Sequence, residues 1–155
     1  MPSPAAARAA VAAARWARSG TEKRTAIACA LFSFSEMFSA QDRARLLQAN
    51  NIWLATVRPN QTPHLAPIWF VWHDEKAYIC TGRRSVKARN IAANPHVSLA
   101  LEDGNDPVVV QAKAKILNRA PSQVIELFQQ KYQWDITNDS TYDAVIEITP
   151  QRVVL

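Results

Sequence analysis

From Ile52 to the C-terminus, apolar residues come in short runs, and each run stops at a cluster of turn-forming residues. Ile52–Val57 (IWLATV) is closed by Pro59-Asn60-Gln61-Thr62, and Leu65–Trp72 (LAPIWFVW) by His73-Asp74-Glu75-Lys76. Ala77–Thr81 and Val97–Leu101 follow, then a turn over Glu102–Pro107, then Val108–Leu117. Ala144–Ile148 and Arg152–Leu155 end the chain. Runs of this length, rich in β-branched and aromatic residues and bounded by Pro, Asn, Asp and Gly, predict strands joined as antiparallel hairpins. Pro67 lies inside the second run and removes one backbone donor, which predicts a sheet edge, a bulge or a site where something else meets the backbone. Val108–Leu117 alternates from Gln111 on. Gln111, Lys113 and Lys115 share one face, and Ala112, Ala114 and Ile116 the other, so one face is wet.

Three segments break the period of two. Ser39 with Asp42 predicts a helix start, running to about Ala49 with Phe38, Leu46 and Leu47 offered to the core. Val86 and Ile91 mark one face of a second helix within Gly82–Ala93, with Ser85 near its N-cap. Pro121 opens a third, which carries Val124, Ile125, Leu127 and Phe128 to about Lys131. Six or seven short antiparallel strands with two or three peripheral helices make a mainly β protein, a small barrel with helices packed on it.

The net charge of +5 is unevenly spread. Residues 1–36 hold a net of +3, and the cations of residues 37–155 are interleaved with acids, which argues against nucleic acid as a partner. No run approaches the roughly 18 apolar residues of a membrane-spanning helix. Cys29 and Cys80 match no metal spacing and no disulfide framework, so no metal and a reducing, cytoplasmic setting are expected. Residues 1–18 are almost entirely Ala and Arg, a composition that changes at Met37. Three accounts of this extension compete: a transit peptide to an organelle, a poor secretory signal, or a translated leader ahead of a start at Met37. In each, residues 1–36 contribute little to the core, and 37–155 is the folded domain.

Thr81-Gly82-Arg83-Arg84-Ser85-Val86-Lys87 carries the chemistry. A strand ends, a glycine permits close backbone approach, and a helix starts at a hydroxyl. Free N–H groups and the helix dipole favour an anion there, with Arg84 and Lys87 adding positive charge. A phosphate held by Ser85, backbone donors, Arg84 and Lys87 is one reading. A solvated basic surface is the other, and the segment alone leaves both open.

Order and spacing extend the pattern: NNIWLATVRPNQTPHLAPIWFVW, then YICTGRRSVKARNIAANPHVSLALEDG, then PVVVQAKAKI. From Met37 to Leu155 the chain resembles the pyridoxamine-phosphate-oxidase-like split barrels, in particular their short flavin and deazaflavin oxidoreductases. The resemblance implies a split barrel, a homodimer, and FMN or the deazaflavin F420 in grooves at the dimer interface. It implies that the cofactor phosphate lies against Thr81, Gly82, Arg84, Ser85 and Lys87, and the ring along Pro67, Ile68 and Trp69. Two departures stand out. Gln111-Ala112 occupies a place where relatives commonly have an acidic residue and glycine, and the short relatives lack the N-terminal extension.

An FMN- or F420-dependent oxidoreductase acting on a small molecule is therefore expected. The alternative is a non-catalytic binder of a flavin, haem or linear tetrapyrrole on the same barrel, since one fold hosts many functions. No catalytic residue is assigned; His64 is the histidine nearest the expected ring site. No residue decides between FMN and F420. FMN is preferred for its wider availability, although Arg83, Arg84, Lys87, Arg89, Lys113 and Lys115 offer charge to an acidic tail.

Overall fold

Ser39 starts the first helix by the reciprocal bonding its spacing to Asp42 predicts. In the computed structural model, which describes residues 37–154, its Oγ accepts the Asp42 N–H at 3.0 Å, and the Asp42 carboxylate accepts the Ser39 N–H at 3.1 Å. Helix α1 (Ala40–Gln48) buries Leu46, and Phe38 just before it is buried too. Leu47, expected in the core, is 57% exposed. Successive helical residues point about 100° apart, so only one of the two leucines can face the sheet. The expectations for residues 1–36 lie outside the described residues.

Strands β1 (Asn51–Val57), β2 (Pro63–Trp69), β3 (Val71–His73), β4 (Lys76–Thr81), β5 (His96–Ala100), β6 (Val109–Leu117) and β7 (Ala144–Val153) form one sheet in the order β2-β1-β5-β6-β7-β4-β3. Every pairing is antiparallel. The sheet curls into a half-barrel that brings β2 close to β4. Ile52, Leu54, Phe70, Ile79, Leu99, Ile146 and Ile148 are fully buried in the core. Helices α2 (Val86–Ala93) and α3 (Ser122–Tyr132) complete the described elements. Val124 and Phe128 of α3 pack with Val71, Tyr78 and Cys80 in a second apolar cluster. The wet face of β6 is as expected, with Gln111, Lys113 and Lys115 exposed over buried Ala112 and Ala114.

Two expected elements change. Leu65–Trp72 is not one strand: it breaks at Phe70, whose N–H and C=O both leave the ladder for α3 side chains. The two strands expected at Ala144–Ile148 and Arg152–Leu155 are, among the described residues, one strand, β7, which runs through Pro150 and ends at Val153. A register shift opposite Gln111/Ala112 leaves Gln151 without a partner, so the donor that Pro150 lacks falls at a bulge.

Candidate functional site

The junction of β4 and α2 is built by side chains that the sequence marks. Ser85 is the N-cap of α2, its Oγ accepting the Ala88 N–H at 3.2 Å. The same oxygen accepts the Thr81 hydroxyl proton at 3.0 Å and keeps its own proton to donate. Thr81 is thus a buried support below the cap. Gly82 is needed for space: a Cβ there would stand 2.9 Å from the Thr141 carbonyl oxygen. The Ser85 N–H is taken by Gly82 O at 2.9 Å, and the Arg83 N–H by Asp143 Oδ1 at 2.6 Å. The next two amides, of Val86 and Lys87, have no acceptor among the described residues. They form the open, positive end of α2.

Lys87 reaches from this turn into a cavity of about 530 Å³ whose other walls are Pro67, Ile68, Trp69, Cys80, Trp134, Asp139 and Tyr142. Burial lowers the Lys87 pKa. Pro67 and Trp69 point to one face of β2 and Ile68 to the other. All three meet the cavity because β2 is the sheet's edge, the place where Pro67 costs no ladder bond. Pro67, Ile68, Trp69 and Lys87 are therefore brought together, while Thr81, Gly82 and Ser85 are not among the cavity's walls. Arg84 is exposed and is not among the cavity's walls. His64 is half-buried on the opposite side of β2 from Trp69, its Nδ1 3.5 Å from Thr56 Oγ1, and it too lies outside the walls. Gln111 lines a different cavity, with His96 and Pro63.

The C-terminal turn of α3 holds the end of β2. The Tyr132 hydroxyl accepts the Phe70 N–H at 3.1 Å and lies 2.7 Å from both the Phe70 and Asn50 carbonyls. Lys131 Nζ donates to Ala49 O at 2.6 Å and to Phe70 O at 3.1 Å, and stands 4.6 Å from the Phe70 ring centre. Its burial pushes its pKa down to about 8. The Tyr132 ring stacks on Trp69, with centroids 4.8 Å apart and an interplanar angle of 3°. The indole that lines the cavity is thereby held flat from behind.

Trp134, Asp139 and Tyr142 escape a reading of the sequence because they sit on an irregular connection between α3 and β7. The only local signals are Asp-x-Thr turns at Asp135 and Asp139, each carboxylate accepting the N–H two residues on at 2.9 Å. Asp139 also accepts the Trp134 indole N–H at 3.0 Å. Desolvation works to raise its pKa, but the bonds from Thr141, Tyr142 and Trp134 outweigh it and keep the carboxyl low. Trp134 meets Tyr142 edge-on at 5.1 Å and Trp69 at 6.2 Å, so the wall is a continuous aromatic surface. Cys80 is 7% exposed, and burial followed by the charge of Asp139 pushes its thiol up to about 12. Among the described residues no cluster of three or more His, Cys, Asp and Glu is gathered as for a metal ion, and no helix is long and apolar enough to cross a membrane.

A family model described as pyridoxamine 5'-phosphate oxidase matches residues 38–155. Among solved structures, the General Stress Protein 26 of Bacillus anthracis is 29% identical, with a TM-score of 0.55 over 69% of this chain and 84% of its own. An F420 reductase is 24% identical, with a TM-score of 0.55 over 72% and 94% of the two chains. The haem storage protein HutZ of Vibrio cholerae is 19% identical, with a TM-score of 0.58 over 72% and 89%. The last two likenesses concern the fold alone. No curated protein matches the sequence significantly.

Proposed function

The chain belongs to the pyridoxamine 5'-phosphate oxidase family, and from that premise we propose that it is a flavin-dependent oxidoreductase of the split-barrel type, binding FMN or F420. One observation carries the proposal. Lys87, in the first turn of α2 beside its Ser85 cap and open amides, reaches a cavity whose other walls are the β2 edge and an aromatic surface. An anionic group fits the first part and a flat ring the second. A volume of about 530 Å³ suits a small organic cofactor. Flavins and deazaflavins supply hydride transfer themselves, and the protein contributes binding, orientation and exclusion of water. Here Lys87 and Ser85 hold the phosphate, and Trp69, kept flat by Tyr132, orients the ring.

Haem is the competing ligand, named by the HutZ likeness. Its iron takes an axial His, Cys, Met or Tyr. The described walls of this cavity contain no histidine or methionine, and Cys80 is held as a protonated thiol, which leaves Tyr142 alone as an axial donor. That donor set favours a flavin. A second copy of the chain is the proposed partner, placed over the outer face of β1 and β2. Leu65 there is 61% and Trp69 53% exposed, an apolar edge that pairing would cover. A buried free Cys80 fits a reducing, cytoplasmic setting.

The test is a titration of the purified chain with FMN, F420 and haem, followed by absorbance and tryptophan fluorescence. Wild type should bind a flavin, and Lys87→Ala should weaken it by about 10- to 100-fold, as expected for loss of one charge-assisted contact. Binding of haem alone, or a Lys87→Ala variant as tight as wild type, would overturn the assignment.

A further inference from the structure

We infer, resting on the flavin reading above, that the connection between α3 and β7 shapes one end of the cavity for an organic cation with a quaternised nitrogen, and that such a cation is the substrate. Three elements supply most of the walls. Lys87 comes from α2, the Pro67–Trp69 edge from β2, and Trp134, Asp139 and Tyr142 from the connection. The phosphate takes the first and the ring takes the second, so the connection is left to face the substrate. Trp134 and Tyr142 stand at 85° to each other with centroids 5.1 Å apart, and Trp134 and Trp69 stand at 73°. Rings at such angles form a corner. The face of an aromatic ring carries the negative part of its quadrupole, which draws a cation and turns away an anion.

The same corner holds the one carboxylate among the cavity's described walls, and it is tied to both rings. Asp139 Oδ2 accepts the Trp134 indole N–H at 3.0 Å, and Oδ1 accepts the backbone N–H groups of Thr141 and Tyr142 at 2.9 and 3.1 Å. Against desolvation, these bonds hold the carboxyl below its ordinary pKa, so it is charged at neutral pH. That charge has no ion-pair partner among the described residues, where the pairs are Arg43–Glu75, Arg45–Asp103, Arg45–Asp106 and Lys76–Glu147. A phosphate at Lys87 neutralises the wall's one cation, which would otherwise repel the substrate. An indole N–H bonded to an anion also polarises its ring and makes the face more negative. The hydrogen bonds choose among cations as well. A carboxylate has about four acceptor sites, and three are spent here, so Asp139 offers charge with little hydrogen bonding. A primary ammonium or a guanidinium would keep unpaired N–H donors in this corner. A quaternised nitrogen has none to satisfy and rests on aromatic faces.

The test compares choline with 3,3-dimethylbutan-1-ol, its uncharged carbon isostere, on the full chain loaded with FMN, or with F420 if that is the flavin it takes. Absorbance first establishes that the flavin is bound, and saturation-transfer NMR of the ligand methyl groups then gives each Kd at low salt. Wild type should prefer choline by at least about fivefold, the size of one cation–π contact beside a carboxylate. Asp139→Asn and Tyr142→Leu should each bring that preference below about twofold, whereas Tyr142→Phe, which keeps the ring face, should retain it. The preference is a ratio within each protein, so a change in flavin affinity does not enter it, and near-ultraviolet circular dichroism certifies each fold. A flavin-loaded wild type with no preference, or a preference that survives either Asp139→Asn or Tyr142→Leu, overturns the cation corner and leaves the cofactor reading standing. A chain that binds neither flavin overturns both.

Discussion

Tyr132→Phe removes a single oxygen, and the structure says what each of its partners loses. The Phe70 N–H, 3.1 Å from that oxygen, lies in a residue with 0% exposure at the break between β2 and β3. No other acceptor among the described residues reaches it. The Phe70 carbonyl keeps the Lys131 ammonium at 3.1 Å, and the Asn50 carbonyl, in an exposed bond, turns to water. One buried donor left unpaired costs about 1–3 kcal/mol, and the net loss of the tyrosine's donated bond adds about 0.5–1.5 kcal/mol. The variant should therefore be less stable by about 2–4 kcal/mol. For a domain of this size that is a melting temperature lower by about 6–15 °C. Urea and thermal unfolding followed by near-ultraviolet circular dichroism measure both, and the denaturant slope should stay constant because the core is unchanged. The stack on Trp69 survives in Tyr132→Phe, whereas Tyr132→Leu loses it and should cost about 0.5–1.5 kcal/mol more. A Tyr132→Phe protein within about 0.5 kcal/mol of wild type would refute the reasoning, because the Phe70 amide would then have found water or another acceptor.

Two other substitutions test neighbouring parts of the site. Gly82→Ala puts a Cβ 2.9 Å from the Thr141 carbonyl, so backbone must move; a loss of about 1–3 kcal/mol in urea unfolding is expected, together with weaker flavin binding through displaced Asp139 and Tyr142, and unchanged stability would refute the close approach. Lys131, with its pKa pushed from an ordinary 10.5 to about 8, binds fewer protons folded than unfolded between those values, so its contribution to stability rises with pH across that window and is flat, at its least favourable, below pH about 8. Wild type's margin over Lys131→Met should accordingly widen from pH 7.5 to pH 10 in denaturant titrations, and a flat or narrowing margin would refute desolvation as the cause.

Local rules made much of the fold legible. The Ser39/Asp42 spacing marks α1, Ser85 marks α2, and the alternation from Gln111 assigns the faces of β6, because capping and pleat periodicity act within a few residues. The same rules err where a distant group overrides them. Nothing local to LAPIWFVW says that Phe70 leaves the ladder, since its partner hydroxyl is on Tyr132, 62 residues away. Nothing local to Leu46-Leu47 says which leucine faces the sheet, and the two segments at the C-terminus read as separate strands because Pro150 interrupts the pattern that a bulge repairs.

The candidate site divides along the same line. By itself the sequence determined the strand-to-helix junction at which an anion site is proposed, because a strand, a glycine, a capping hydroxyl and a lysine lie within seven consecutive residues and their hydrogen bonds are short-range. It also marked Pro67 as an edge, a bulge or a point of backbone approach, while Pro67, Ile68 and Trp69 as a set came from the family resemblance. Only the tertiary structure decided that these two segments share one cavity, that Trp134, Asp139 and Tyr142 close it, and that Arg84 stands outside. Those facts depend on how far a seven-stranded sheet curls, and curl is set by packing summed over the whole core. No short window of residues carries that sum.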